Sequence, residues 1–85
     1  MKLVRVFWRD SSEASGWQRI SELEPDCLEM ESVGWLLDEK PDQITLAGHV
    51  GYDADGKAEQ ACSVMTIPVQ AVTGMEILEP GGLDK

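Results

Sequence analysis

The stretch Ser32-Val33-Gly34-Trp35-Leu36-Leu37 decides the fold, together with a second stretch further along the chain, Met65-Thr66-Ile67-Pro68. Residues 27–37 have the alternating pattern of one extended strand. Its first face holds Leu28, Met30, Ser32, Gly34 and Leu36, and its second face holds Glu29, Glu31, Val33, Trp35 and Leu37. The second face changes from charged to apolar near Gly34, and a glycine inside a strand marks a bulge, a bend or a close backbone approach. We therefore predict a bent strand that serves two sheets, with Leu36 in the core and Trp35 on the opposite face.

Four other segments have the composition and alternation of strands. They are residues 3–9, 43–50, 61–67 and 72–78. Between the first two strands, Trp17, Ile20 and Leu23 recur at every third position, which predicts a short helix or 3₁₀ turn that ends before Pro25. A polar loop is expected over residues 53–59, and Pro68 ends the fourth strand.

These elements predict a mainly β protein, a small five-stranded SH3-like or Sm-like barrel with one short helix or 3₁₀ turn after strand one. We expect residues 1–79 to form a single domain and residues 80–85 to form a flexible C-terminal tail. A chain of 85 residues with 42% apolar content buries only about 60–65% of its unfolded surface, so the core is small. An open barrel also leaves strand edges unpaired. We expect a homo-oligomer built by edge pairing, as a closed ring or as a dimer.

Several motifs support this architecture through a resemblance. Besides the two stretches quoted first, they are Trp8-x-Asp10, Gly16-Trp17 and Val72-x-x-Met75-x-Ile77-Leu78. Together they resemble a group of short bacteriophage proteins over nearly the whole chain. Those relatives often carry a basic residue after the Ile-Pro pair, where this chain has Val69 and Gln70. The resemblance implies a phage origin, and a compact phage oligomer without enzymatic activity commonly binds and blocks a component of the host.

The charge distribution limits the partners. The net charge of −9 opposes non-specific binding to nucleic acid or to anionic lipid, both of which require dense Lys and Arg. The charge is uneven, because residues 1–20 carry a net +2 and residues 21–59 a net −9. Such a bipolar chain suits head-to-tail contact between copies, or a local anion site in an acidic body. A solubilising surface with no further role is the simpler interpretation.

The compartment follows from the termini and the thiols. The first residues lack the apolar region of a secretion signal, and no apolar run approaches the roughly 20 residues of a membrane span. We therefore expect a cytoplasmic protein, in the host bacterial cytosol if it is phage-encoded. In that reducing compartment Cys27 and Cys62 are predicted to be buried structural thiols.

No catalytic, metal or cofactor motif stands out. His49, an expected exposed strand-end histidine, has no nucleophile setting or paired zinc-ligand spacing beside it. Asp53-x-Asp55-Gly56 departs from a calcium loop in its glycine position and is better explained as a turn between strands. We predict that the protein is not an enzyme and has no cofactor.

Binding residues are predicted from ring and guanidinium chemistry, since planar rings and cations together suit nucleobases and phosphates. The candidates are Arg9, Trp17, Arg19, His49, Tyr52 and Lys57. The first functional hypothesis is sequestration of a small anionic nucleotide-like signal in pockets between subunits, as a counter-defence. A second is an acidic module that inhibits a host protein through Glu22, Glu24, Asp26, Glu29, Glu31, Asp38, Glu39 and Asp42. A third, nucleic-acid binding by an Sm-like ring, fits the fold but is opposed by the charge. The tryptophans also have a structural interpretation, in which Trp17 is a lid over one open end of the core.

Overall fold

A computed structural model describes residues 1–78 as one antiparallel sheet of five strands. The strands are β1 (Leu3–Asp10), β2 (Leu28–Glu39), β3 (Gln43–Tyr52), β4 (Ala58–Pro68) and β5 (Val72–Leu78). Their order across the sheet is β4-β3-β2-β1-β5. Two 3₁₀ turns, Ile20–Glu22 and Val69–Ala71, complete the regular structure. The mainly β fold and the turn after strand one are confirmed, and the tail predicted over residues 80–85 lies outside the described residues.

β2 changes its pairing partner next to Gly34. Residues 28–35 of β2 pair with β1, and residues 35–39 pair with β3. A Cβ atom at Gly34 would lie 2.9 Å from the carbonyl oxygen of Ala47, so only glycine permits this approach of β2 to β3. The predicted close backbone approach at Gly34 is therefore confirmed. Both partners nevertheless belong to one continuous sheet, and the prediction of two sheets was wrong.

The hydrophobic core lies on one face of the sheet. Its buried members come from β1, β3 and β4 and are Val4, Val6, Ile44, Leu46 and Ile67. Leu36 packs against them from β2, as predicted, together with Trp8. The indole N–H of Trp8 donates to the Ser32 hydroxyl at 3.0 Å, which supplies a partner for the only polar atom of that ring. Trp35 lies on the opposite face and is half-buried, with Leu3 and Ala47 as its cross-strand neighbours.

The second 3₁₀ turn shows that the sheet is strongly rolled. In a flat sheet, four strand spacings would separate β4 from β5 by roughly 19 Å. Only residues 69–71 connect Pro68 to Val72, and four virtual bonds span at most about 15 Å. The turn is also held to the β2–β3 connection, because the Val69 N–H donates to the Asp42 carbonyl at 2.9 Å. Within residues 1–78, however, β4 and β5 do not pair, so the sheet stays open along this seam.

Beyond the core, β3 and β4 continue as a two-stranded ribbon. Pairing of β2 with β3 ends at Ala47, whereas pairing of β3 with β4 continues to Tyr52. Both strands are thus longer than predicted, because ladder pairing overrides the weak strand preference of the Ala-Glu-Gln segment 58–60. The connecting loop shrinks accordingly. There the Asp53 carboxylate accepts the N–H groups of Asp55 and Lys57, each at 2.9 Å.

Two predictions about burial were wrong. Cys27 and Cys62 are both exposed, because Cys27 precedes β2 at the end of a long connection and Cys62 lies on the ribbon beyond the core. Trp17 has an exposed fraction of 103%, so it is not a lid, nor does it cover Trp35. The Cα radius of gyration, 17.3 Å, exceeds the roughly 12 Å of a compact chain of this length. Within residues 1–78, no helix is long and apolar enough to cross a membrane.

Candidate functional site

The connection between β1 and β2, residues 11–27, is the most exposed part of the structure, and we call it the arm. The base of the arm, where it meets the sheet, is held by hydrogen bonds, and we call it the root. The Ser12 hydroxyl donates to the Asp26 carbonyl oxygen, and the Asp26 carboxylate accepts the N–H of Cys27 at 2.9 Å. The two legs of the arm are therefore joined next to the sheet, and the residues between them project from it.

Arg9 lies at the root of the arm and already forms ion pairs with two carboxylates. Its Nε lies 2.8 Å from Oε1 of Glu29, and its Nη2 lies 3.7 Å from Oδ1 of Asp26. The hydrogen bond to Glu29, together with the negative charge of that carboxylate, raises the pKa of Arg9. Arg9 is thus a permanent cation, but an anionic ligand would compete with two carboxylates for its donors.

The tip of the arm, residues 17–22, carries two of the candidate binding residues, and we call it the apex. Trp17 is fully exposed, and Ile20 has an exposed fraction of 87%. Arg19 is also exposed, and its side chain forms no ion pair with any of residues 1–78. The first 3₁₀ turn holds this segment, since the N–H of Glu22 donates to the Arg19 carbonyl at 3.0 Å. An exposed indole thus stands two residues from a free guanidinium group.

The other three predicted binding residues lie on the ribbon. His49 is exposed, as predicted, and stands opposite Cys62 beside a shallow groove of about 380 Å³. Tyr52 is 57% exposed at the end of β3. Lys57 follows the Asp53 turn, and its ammonium group has no carboxylate partner within residues 1–78. The ribbon therefore offers a ring and a cation, as the arm does.

A single chain does not combine the arm residues and the ribbon residues into one pocket. In the part of the chain that the structure describes, no side-chain hydrogen bond or ion pair joins Arg9, Trp17 or Arg19 to the ribbon. Across residues 1–78 there is likewise no group of three His, Cys, Asp or Glu side chains placed to hold a metal ion. The two sets of candidate binding residues are therefore separate surfaces of the chain.

One surface was missed at the sequence level. A groove of about 460 Å³ lies where the second 3₁₀ turn meets the β2–β3 connection, and we call it the apolar groove. Its apolar lining is Pro41, Ile44, Val69, Val72 and Met75, and its charged lining is Glu39 and Lys40. The spacing of Val69, Val72 and Met75 at every third residue was a possible signal. This signal was missed because Val69 belongs to a turn, whereas Val72 and Met75 belong to a strand. Turns and strands are predicted from different sequence patterns.

We compared the chain with known proteins. No family model, no curated protein sequence and no solved structure matches it. The geometry of its own residues is therefore the basis of the functional argument.

Proposed function

We propose that the protein is a non-enzymatic, oligomeric binding protein of the SH3-like or Sm-like barrel type, which sequesters a small anionic, nucleotide-like molecule. The barrel proposal is supported by the rolled sheet, whose seam runs between β4 and β5. A phage origin and a counter-defence role are supported by the resemblance of the SVGWLL and MTIP stretches to phage proteins.

Assembly is supported by the two free edges. β4 offers eleven residues and β5 offers seven, and the apolar side chains beside the seam are poorly covered. Met65 on β4 is 43% exposed, and Met75 and Ile77 on β5 are 42% and 58% exposed. Each edge strand carries a single charged residue, Glu59 on β4 and Glu76 on β5, and a strand edge with few charges favours pairing with another strand. Pairing between copies would satisfy the edge backbone and bury these side chains.

The observation that carries the ligand proposal is the fully exposed Trp17 with Arg19 two residues away, a guanidinium group that forms no ion pair within residues 1–78. A ring stacks on a nucleobase, and a guanidinium group binds phosphate in a bidentate manner. Tyr52 and Lys57 offer the same combination on the ribbon, with His49 nearby. Arg9 is a weaker candidate because of Glu29 and Asp26. Since one chain does not join the two sets, the proposed pocket lies between subunits.

Thermal unfolding with a panel of mono-, di- and cyclic nucleotides tests this proposal. A ligand at 100 times its Kd stabilises the folded state by about 2.7 kcal/mol, and each kcal/mol raises Tm by about 4–8 °C for a small domain. We expect Arg19→Gln to remove most of that shift. Lys2→Gln, which removes one exposed charge elsewhere, is the matched control and should keep it.

Two results would contradict the ligand proposal. One is the absence of a shift with every nucleotide of the panel, and the other is an equal loss in Arg19→Gln and Lys2→Gln. The first result would favour the second candidate function, inhibition of a host protein with a basic surface. The specific observation behind that candidate is that all eight carboxylate residues named for it in the sequence are exposed. Binding to nucleic acid remains opposed by the net charge of −9.

A further inference from the structure

Resting on the proposed oligomer, we propose that the arm of one copy docks in the apolar groove of a second copy. The occupant is the apolar side of the first 3₁₀ turn. Residues i and i+3 of a 3₁₀ turn lie on the same side, so Ile20 and Leu23 form one apolar side there. Their exposed fractions are 87% and 46%, so most of the Ile20 side chain and nearly half of the Leu23 side chain are open to solvent.

The base of the arm is closed within its own chain. The Ser12 contact with the Asp26 carbonyl closes the base of the arm, and the ion pairs of Arg9 with Glu29 and Asp26 hold that base against the end of the β1–β2 pair. A second copy receives the apex with the base intact.

The groove matches the turn in apolar character and in charge. Five apolar residues line it, and its volume of about 460 Å³ is within the range of sites that accept small organic groups. Its two charged residues are Glu39 and Lys40. Glu22, the last residue of the first 3₁₀ turn, carries the charge opposite to that of Lys40, and Arg19 is left for the proposed ligand. Lys40 is available, because its one ion pair within residues 1–78 is a long contact of 3.7 Å with Asp38.

The area of this contact is too small to hold two copies together by itself, so the contact has a supporting role in assembly. Two aliphatic side chains and their backbone bury a few hundred Å² at most, below the roughly 1,200–2,000 Å² of a stable specific interface. The docked arm therefore adds to edge pairing and does not replace it. Docking of Ile20 also holds Arg19 and Trp17 at the boundary between subunits, where the proposed ligand pocket requires them.

A double-mutant cycle on self-association tests the contact. Ile20→Ser removes the apolar side chain at the apex, and Val69→Thr makes the groove polar with little change of shape and retains the backbone N–H. We expect either change to weaken association roughly ten- to a hundredfold, as loss of one buried aliphatic side chain does. The double variant should be little weaker than the single ones, because both changes remove the same contact. Ala14→Ser, an exposed change elsewhere in the arm, is the control and should leave association unaltered.

Disulfide trapping shows which chain supplies the arm. In a background of Cys27→Ser and Cys62→Ser, a tagged Ile20→Cys copy is mixed with an untagged Val69→Cys copy and oxidised. We expect a mixed disulfide at higher yield than with Ala14→Cys. A yield no higher than with Ala14→Cys would overturn the proposal, as would a double-cysteine chain that links only to itself, or additive effects in the cycle. A wild-type protein with the mass of one chain would instead overturn the proposed assembly itself, so the two failures are distinguishable.

Discussion

Gly34 is the residue that permits the close approach of β2 to β3. It lies where β2 leaves β1 and joins β3, and its backbone is in contact with that of Ala47. The alternation of faces around Gly34 made its role predictable, since a glycine inside a strand indicates a bend or a close backbone approach. Trp17 shows the opposite case. A tryptophan three residues from an apolar side chain is typical of a core, whereas Trp17 is fully exposed on the arm.

The first prediction concerns Gly34→Ala. The added Cβ would lie 2.9 Å from the Ala47 carbonyl oxygen, so backbone must shift, and such overpacking costs about 1–3 kcal/mol. Gly74→Ala is the matched control, because its Cβ would meet Phe7 at an ordinary 3.6 Å. We expect chemical denaturation to show a lower free energy of unfolding for Gly34→Ala and a change of less than about 1 kcal/mol for Gly74→Ala. Equal stability of the two variants would contradict the assigned role of Gly34.

The positions of the strands could be predicted from the sequence, whereas the packing between elements could not. Alternation located all five strands, and β5 was predicted at its observed bounds, because half-buried strands repeat with a period of two residues. β3 and β4 are longer than predicted because pairing between the two strands stabilises the ribbon. The local sequence pattern does not indicate that pairing. The exposure of Cys27 and Cys62 and the existence of the apolar groove depend on how the elements pack. No local pattern carries that information.

The ribbon gives the next prediction, which concerns its turn. The Asp53 carboxylate accepts two backbone N–H groups, and a two-stranded ribbon outside the core is marginal without a good turn. We expect Asp53→Ala to cost about 1–2 kcal/mol and to speed hydrogen exchange at residues 49–62. Asp53→Asn retains an acceptor oxygen and should lose less than Asp53→Ala. Asp55→Ala is the control, and exchange as fast in this variant as in Asp53→Ala would count against the turn.

The molecule as a whole combines an open seam, an exposed arm and a net charge of −9. Copies with this charge repel each other, and salt screens that repulsion. Assembly is therefore expected to strengthen as the salt concentration rises from low to moderate. Contacts between copies would account for the seam, the arm and the separated binding residues together. Self-association is the property on which the proposed function and the docking of the arm both depend.

Light scattering at moderate salt tests self-association most directly. The wild-type protein should have a mass that is a multiple of the 9.4 kDa of one chain. Met65→Lys and Ile77→Lys place a charge on the two seam edges, where an inward lysine blocks pairing, and each should shift the mass to one chain while circular dichroism shows an intact sheet. Gln70→Lys adds the same charge on the second 3₁₀ turn and should leave the mass unchanged. A wild-type protein that stays at 9.4 kDa at every concentration would contradict the proposed assembly.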